Sequence, residues 1–217
     1  MKLCDFTLAV LKNFSTINSS LVLKPGHVQR TMSPDTTILV EATLDENFTH
    51  TFGIYDLNQF IGNISTMDDP DLTFEDNLVV AQDRNFRLRY YSCRPDLIVS
   101  PREDKTLPKE SDISFDISKA DLSKIMSLAA LNSLPNISLT ATGGNLHLLA
   151  HDKTNNSAIQ VNVDLGETVH EDFVSTLKVK NLKIIPGDYT IGVVKGKYAV
   201  FDSTTHKLTY FAGLEKN

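Results

Sequence analysis

"SKADLSKIMSLAALNSLPNISLTATGGNLHLLA", residues 118–150, changes its hydrophobic period once, and that change indicates the fold class. Ser118 and Asp121 stand three apart, the spacing of a capping box that satisfies open backbone N–H groups in a first helical turn. Leu122, Ile125, Met126 and Ala129 then recur at helical spacing, so the segment predicts an amphipathic helix with one apolar stripe. After Pro135 the period drops to two. "NISLTA" and "NLHLLA" flank Gly143 and Gly144, the residues a tight hairpin turn favours.

The same order occurs earlier in the chain. Phe6, Val10, Phe14 and Ile17 mark a first helix, with Ala9, Lys12 and Thr16 on its other side. "LVL", a turn at "KPG", "HVQRTM" and the β-branched "TTILVEATL" follow as strands. Leu57, Phe60, Ile61 and Ile64 predict a short second helix with Asp56 as its N-cap, before "LTF", "LVVAQ" and "FRLRYYS". In the later half "AIQVNVDL" continues the hairpin. "STLKVKNLKIIPG", residues 175–187, takes the place of a second helix, and "DYTIGVV", "YAVFDS" and "LTYFAG" close the chain. Corresponding elements lie about 115–120 positions apart, the mark of a duplicated unit. The expectation is an α+β chain of two similar domains, residues 1–92 and 113–217, each with two helices on a mainly antiparallel sheet. Residues 93–112, with three prolines and many charges, read as an extended connector.

The 217 residues carry a formal net charge of -6, with 41% hydrophobic and 22% charged residues, an ordinary globular balance. No apolar run approaches the ~20 residues of a membrane span. The apolar residues of the N-terminus are interrupted by Asp5, Thr7 and Lys12, with no small-residue cleavage site after them, so cytoplasmic residence is expected. Cys4 and Cys93 then read as free thiols, and the Asn-x-Ser/Thr triplets at Asn13, Asn47, Asn63 and Asn136 as unglycosylated. Catalytic signals are few. There is no G-x-x-x-x-G-K-[ST] string, and "MDDPDLTFED" lacks the spacing of a calcium loop. His147 and His151, four apart on a predicted strand, place their rings ~13 Å apart. No cofactor, no metal and no enzymatic activity are expected.

"KLCDFTLAVLKNFSTINSSLVLKPG", "IYDLNQFIGNIS" and "IIPGDYTIGVVKGK", in that order, resemble the DNA polymerase sliding clamps of T-even-type bacteriophages. The resemblance covers essentially the whole chain. It is strongest at the first helix and at "IYDLN", and weaker through the middle strands, where this chain is slightly shorter. It implies the DNA clamp fold, similar to proliferating cell nuclear antigen and the bacterial beta clamp. Three copies would close into a homotrimeric ring with sheet outside and twelve helices lining a hole for duplex DNA. The implied partners are duplex DNA, the replicative DNA polymerase, an ATP-driven clamp loader and late-transcription factors. The implied setting is the cytoplasm of the infected bacterial host, with no membrane.

Residue by residue, Lys12 and Lys124 lie opposite the apolar stripes of their helices. Lys180 and Lys183 read as i, i+3 neighbours on the fourth predicted helix, with Lys178 on its shoulder and Lys119 at the start of the third. These lysines are expected to face DNA, while carboxylates collect in loops such as "MDDPDLTFEDN" and "LDEN". The apolar run Leu97, Ile98 and Val99 in the connector is expected to wall a hydrophobic groove. The resemblance adds Met32, Phe211 and Ala212 to that pocket, for short C-terminal peptides of the polymerase and other clients. It also implies edge-to-edge ring joints, with Arg87, Arg89 and Tyr91 of one chain facing Val161, Val163 and Asp164 of the next. The other readings are a duplicated α+β interaction scaffold that binds no DNA, and a hydrolase built from scattered residues. A trimer argues for the clamp and a monomer for the alternatives.

Overall fold

The computed structural model describes residues 1–102, 108–155, 157–169 and 171–215, and the chain divides into two compact units, Met1–Thr106 and Leu107–Asn217. The middle of the expected connector, residues 103–107, lies outside the described residues.

In the first unit, α1 (Asp5–Ile17) is followed by β1 (Leu21–Leu23), β2 (Gly26–Met32), β3 (Ile38–Phe48) and β4 (Phe52–Ile54). Then come α2 (Leu57–Ser65) and the strands β5 (Asp71–Phe74), β6 (Leu78–Gln82) and β7 (Arg87–Tyr91). All pairings are antiparallel: β1 with β4, β2 with β3, and β5-β6-β7 as a meander. The Cys4 Sγ accepts the Thr7 N–H at the start of α1, and Asp56 Oδ1 accepts the Gln59 N–H (2.9 Å) at the start of α2. Val10, Leu11, Phe14 and Ile17 of α1 and Leu57, Phe60, Ile61 and Ile64 of α2 are buried. An aromatic chain extends this core. Phe74 meets Phe48 and Phe52 edge-on at 5.5 and 5.6 Å, and Phe60 meets Tyr90 at 5.1 Å.

The second unit comprises β8 (Ile113–Ile117), α3 (Lys119–Leu131), β9 (Asn136–Thr142), β10 (Asn145–His151), β11 (Val161–Glu167) and β12 (Phe173–Lys178). It ends with β13 (Tyr189–Val194), β14 (Tyr198–Ser203) and β15 (Leu208–Gly213). The strands run β11-β10-β9-β12 in one sheet, while β8, β13, β14 and β15 pair in spatial sequence. The expected cap is present: Ser118 Oγ accepts the Asp121 N–H (3.1 Å) and donates to the Asp121 carboxylate (2.7 Å). The expected hairpin is present too, with positive φ at both Gly143 (58°) and Gly144 (80°), a conformation that other residues adopt at a cost.

The two units share a topology. β1 pairs with β4 as β9 pairs with β12, β2 with β3 as β10 with β11, and β5-β6-β7 corresponds to β13-β14-β15. Even β8 has a counterpart. Met1 exchanges two backbone hydrogen bonds with Leu72 of β5, as β8 pairs with β13.

One element differs from expectation. Residues 175–187 do not form a fourth α-helix; they continue β12, make one 3-10 turn at Val179–Asn181 and then run as coil into β13. The first unit therefore holds two α-helices, but the second, among its described residues, holds one. The reason lies in the side chains. Val174, Thr176 and Val179 are β-branched, and Leu177, Leu182 and Ile184 are spaced five and two apart, so they cannot share a helical stripe. Pairing of Ser175, Thr176 and Leu177 with Leu139, Ser138 and Ile137 takes the backbone instead. Leu182, buried just past the turn, supplies the apolar contact expected of the helix.

Candidate nucleic-acid interface and partner surfaces

The exposed positions of α1 are Asp5, Ala9, Lys12 and Thr16, one stripe opposite the buried residues. Lys12 makes no ion pair among the described residues. α2 exposes Asn58, Gln59, Gly62 and Ser65, with no charge. α3 exposes Lys119, Ala120, Asp121, Lys124, Ser127, Ala130 and Leu131. Lys124 also has no ion-pair partner among the described residues, while the Lys119 backbone N–H donates to the Asp188 carboxylate (2.6 Å). Carboxylates on α1 and α3 are confined to first turns, where the helix dipole favours them. The acids gather elsewhere: Asp68, Asp69, Asp71, Glu75 and Asp83 line an open cleft of about 640 Å³ together with Arg87.

The lysine segment presents its charges from a strand end and a turn. Lys178 Nζ lies 3.0 Å from Glu215 Oε1, Lys153 Nζ lies 3.6 Å from Oε2, and Asn136 Nδ2 donates to Oε2 at 2.9 Å. Burial pushes the Glu215 carboxyl up, but the hydrogen bond and charge of Lys178, with those of Lys153, hold it below the usual carboxylate value. Lys178 is therefore partly neutralised. Lys180, on the 3-10 turn, is exposed and makes no ion pair among the described residues; Lys183 is exposed on the coil that follows. The i, i+3 helical relation expected for Lys180 and Lys183 does not form, because the backbone there is not α-helical.

The groove residues of the first unit are drawn together by a side chain that carries no motif. Asn18, at the C-cap of α1, donates through Nδ2 to Met32 O (3.1 Å) and to Val99 O (2.9 Å). A 3-10 turn at Pro95–Leu97 precedes them. Ile98 is buried (8% exposed), while Leu97 (72%) and Val99 (45%) face outward. Next to them an opening of about 320 Å³ is lined by Val22, Val28, Arg30 and Pro101. Phe211 and Ala212 lie on β15 of the second unit, both buried, with Phe211 edge-on to Tyr198 at 6.0 Å.

Both candidate joint strands are edges within their own units: β7 ends the β5-β6-β7 meander and β11 is the outer strand beside β10. Arg87, Arg89 and Tyr91 are exposed. Val161 and Val163 are half-buried and alternate with exposed Asn162 and Asp164, whose carboxylate accepts the Gly166 N–H (2.9 Å). His151 Nε2 lies 2.8 Å from Ser138 Oγ, which also contacts Thr176 Oγ1 at 2.8 Å. Among the described residues no cluster of His, Cys, Asp and Glu could hold a metal, and no helix is long and apolar enough to cross a membrane.

Comparison with known proteins places this geometry. The family described as DNA polymerase processivity factor matches residues 4–92. The chain is 28% identical to the sliding clamp of Enterobacteria phage T4 over 222 aligned positions, covering 99% of this chain and 97% of that protein. It is 27% identical to the sliding clamp of Vibrio phage KVP40, covering 89% and 90%. Among solved structures it superposes on A. fulgidus PCNA, bound to the C-terminal region of FEN-1, with a TM-score of 0.74 at 13% identity, covering 100% and 97% of the two chains. The H. pylori beta clamp gives the same TM-score at 13% identity, covering all of this chain and 65% of that one. The fold is that of the DNA clamps, and along nearly its whole length the chain is similar to the sliding clamps of T-even-type bacteriophages.

Proposed function

We propose that three copies of this chain close into a ring around duplex DNA and tether the replicative polymerase to it. The observation that carries this reading is the pair of exposed helix stripes on α1 and α3. They present Lys12 and Lys124 without ion-pair partners among the described residues, while carboxylates collect in loops. Ammonium groups on such faces attract phosphates without reading base edges, so the ring holds DNA and still slides. Lys180 and Lys183 add to the lining from a turn and a coil. Lys119 contributes from the first turn of α3, and Lys178 only after it leaves Glu215. An acidic exterior discourages DNA from binding outside the hole. Processivity factors are non-catalytic, so the work done is tethering.

Ring closure is assigned to β7, with Arg87, Arg89 and Tyr91, against the Val161, Val163 and Asp164 edge of the next copy. That contact is heterologous, so it must close or polymerise. The polymerase is held through a C-terminal peptide at the groove of Met32, Leu97, Ile98 and Val99, with Phe211 and Ala212. A. fulgidus PCNA, which takes the C-terminal region of a client, supports this mode. An ATP-driven loader opens the ring, late-transcription factors are further partners, and the site of action is the cytoplasm of the infected bacterium.

The test replaces Lys12, Lys124, Lys180 and Lys183 together with Ala and measures processive synthesis on primed DNA with cognate polymerase and loader at moderate salt. Loss of processivity, with the trimer of about 72 kDa (three times 24.1 kDa) retained, is expected. Unchanged synthesis overturns the lining assignment, and a monomer by light scattering overturns the ring.

A further inference from the structure

Where the first unit has α2, the second has a coil, and two buried tyrosines hold it. The backbone of α2 is fixed by the hydrogen bonds of its own helix. Residues 182–188 have no such ladder, being neither helix nor strand. At one end Leu182 is buried, with its N–H bonded to Val179 O (2.9 Å). At the other the Asp188 carboxylate accepts the Lys119 N–H at the start of α3 (2.6 Å), and Asp188 O accepts the Thr204 N–H (3.1 Å). Midway, both backbone groups of Ile185 are taken by side chains. Tyr189 Oη donates to Ile185 O (2.5 Å), and the Ile185 N–H donates to Tyr210 Oη (3.1 Å).

The rings alone would serve the core. Tyr189 and Tyr210 are each 1% exposed, and their rings meet edge-on at 6.2 Å. Phenylalanine would fill the same space with no polar atom to satisfy, whereas a buried hydroxyl costs free energy unless it is hydrogen-bonded. Burial pushes both phenols up, so each keeps its proton at neutral pH. The coil passes close to the pair: a Cβ at Gly187 would lie 3.5 Å from the Tyr189 ring. Lys183 is exposed between buried Leu182 and the doubly bonded Ile185, and Lys180 stands on the turn just before them.

We infer that Tyr189 and Tyr210 are positioning residues for phosphate contact, their hydroxyls holding the coil in the shape that presents Lys183. That role depends on the DNA-facing place proposed for Lys183. A lysine on a loose coil loses backbone as well as side-chain freedom with each phosphate contact, and a backbone already fixed from beneath loses only the second. Two hydroxyls on Ile185 thus do for this coil what the helical ladder does for α2.

The test carries Tyr189→Phe and Tyr210→Phe together in the full chain, which keeps both rings; circular dichroism and light scattering check fold and assembly. Tyr189→Phe alone, measured the same way, takes its place if the pair unfolds. Amide hydrogen exchange at Ile185 is expected to speed up about tenfold. Affinity for a fluorescein-labelled DNA duplex, followed by anisotropy at low salt, is expected to fall about threefold. The same fall is expected in a Lys124→Ala background, and none in a Lys183→Ala background. Unchanged exchange at Ile185 overturns the grip on the coil. Unchanged affinity, or an equal fall in the Lys183→Ala background, overturns the positioning role, because the hydroxyls then serve stability alone. Wild-type affinity in the Lys183→Ala single variant is a different failure: it removes Lys183 from the DNA-facing set, and the positioning role falls with it.

Discussion

The first unit meets its core with two α-helices, the second with one helix and a single 3-10 turn, although their strands pair in the same order. The difference shows where a clamp domain tolerates change. The strand ladders and the first helix of each unit hold the topology. The second helical position is filled by four buried side chains of a helix in the first unit, Leu57, Phe60, Ile61 and Ile64, and by Leu182 beside a turn in the second.

The comparison is most sharply tested at those anchors. Phe60→Ala removes a buried ring packed edge-on to Tyr90 and is expected to cost about 3–5 kcal/mol in chemical unfolding. Leu182→Ala is expected to cost less, about 2–3 kcal/mol, because one side chain on a turn leaves neighbours room to relax. A larger loss at Leu182 would mean that the turn carries more of its unit than the helix does.

Next in size are the exit of the chain from the first unit and its entry into the second. A Cβ at Gly53 would lie 2.4 Å from Cys93 O, a backbone atom fixed by the Cys93–Gly53 hydrogen bond. Gly53→Ala is therefore expected to cost about 1–3 kcal/mol through overpacking. At Gly192 the crowding atoms are the Ser111 hydroxyl oxygen (2.8 Å) and Cβ (2.9 Å), so Ser111 must shift as a whole; neither is as close as Cys93 O is at Gly53, and Gly192→Ala should cost less in the same denaturant titration. Equal effects would show that the exit at Gly53 is no tighter than ordinary sheet packing.

Smaller effects belong to the second unit alone. Glu215→Gln removes a charge held between Lys153 and Lys178 and is expected to lower stability by about 1 kcal/mol at neutral pH, given the partial exposure of Lys178. Since the folded carboxyl titrates below its unfolded value, that contribution is complete above the unfolded value and disappears as pH falls through the folded one. Wild type and variant should converge in melting temperature in acid. The smallest effect is expected at His151. Burial, then the charge of Lys153, pushes its pKa down, so the unfolded state takes up a proton first as pH falls. Stability attributable to the neutral ring beside Ser138 is full above the unfolded value and declines below about pH 6.5. His151→Asn should flatten that decline in a melting-temperature series.

Much of this was readable in the residues. The stripes of α1, α2 and α3, the caps at Asp56 and Ser118 and the Gly143-Gly144 turn are local signals, and the structure has them where the residues place them. The segment around Lys178 was misread because three lysines and three apolar residues resemble an amphipathic helix in composition. Their spacing matches neither helical face, and its partner β9 lies about 40 positions away in sequence. The Asn18 amide that joins Met32 to Val99 bridges 81 positions, and no local pattern announces it.

Periodicity and capping residues were enough to define the helices, the hairpins and the fact of duplication, because those depend on interactions a few residues long. Lys12 and Lys124 were placed on exposed faces for the same reason. Tertiary contact alone decided the rest. Cross-strand pairing with β9 made residues 173–178 a strand, and the Glu215 carboxylate claimed Lys178 and Lys153. Each of these outcomes depends on groups far apart in sequence competing for one another, and linear order does not encode which of them will meet.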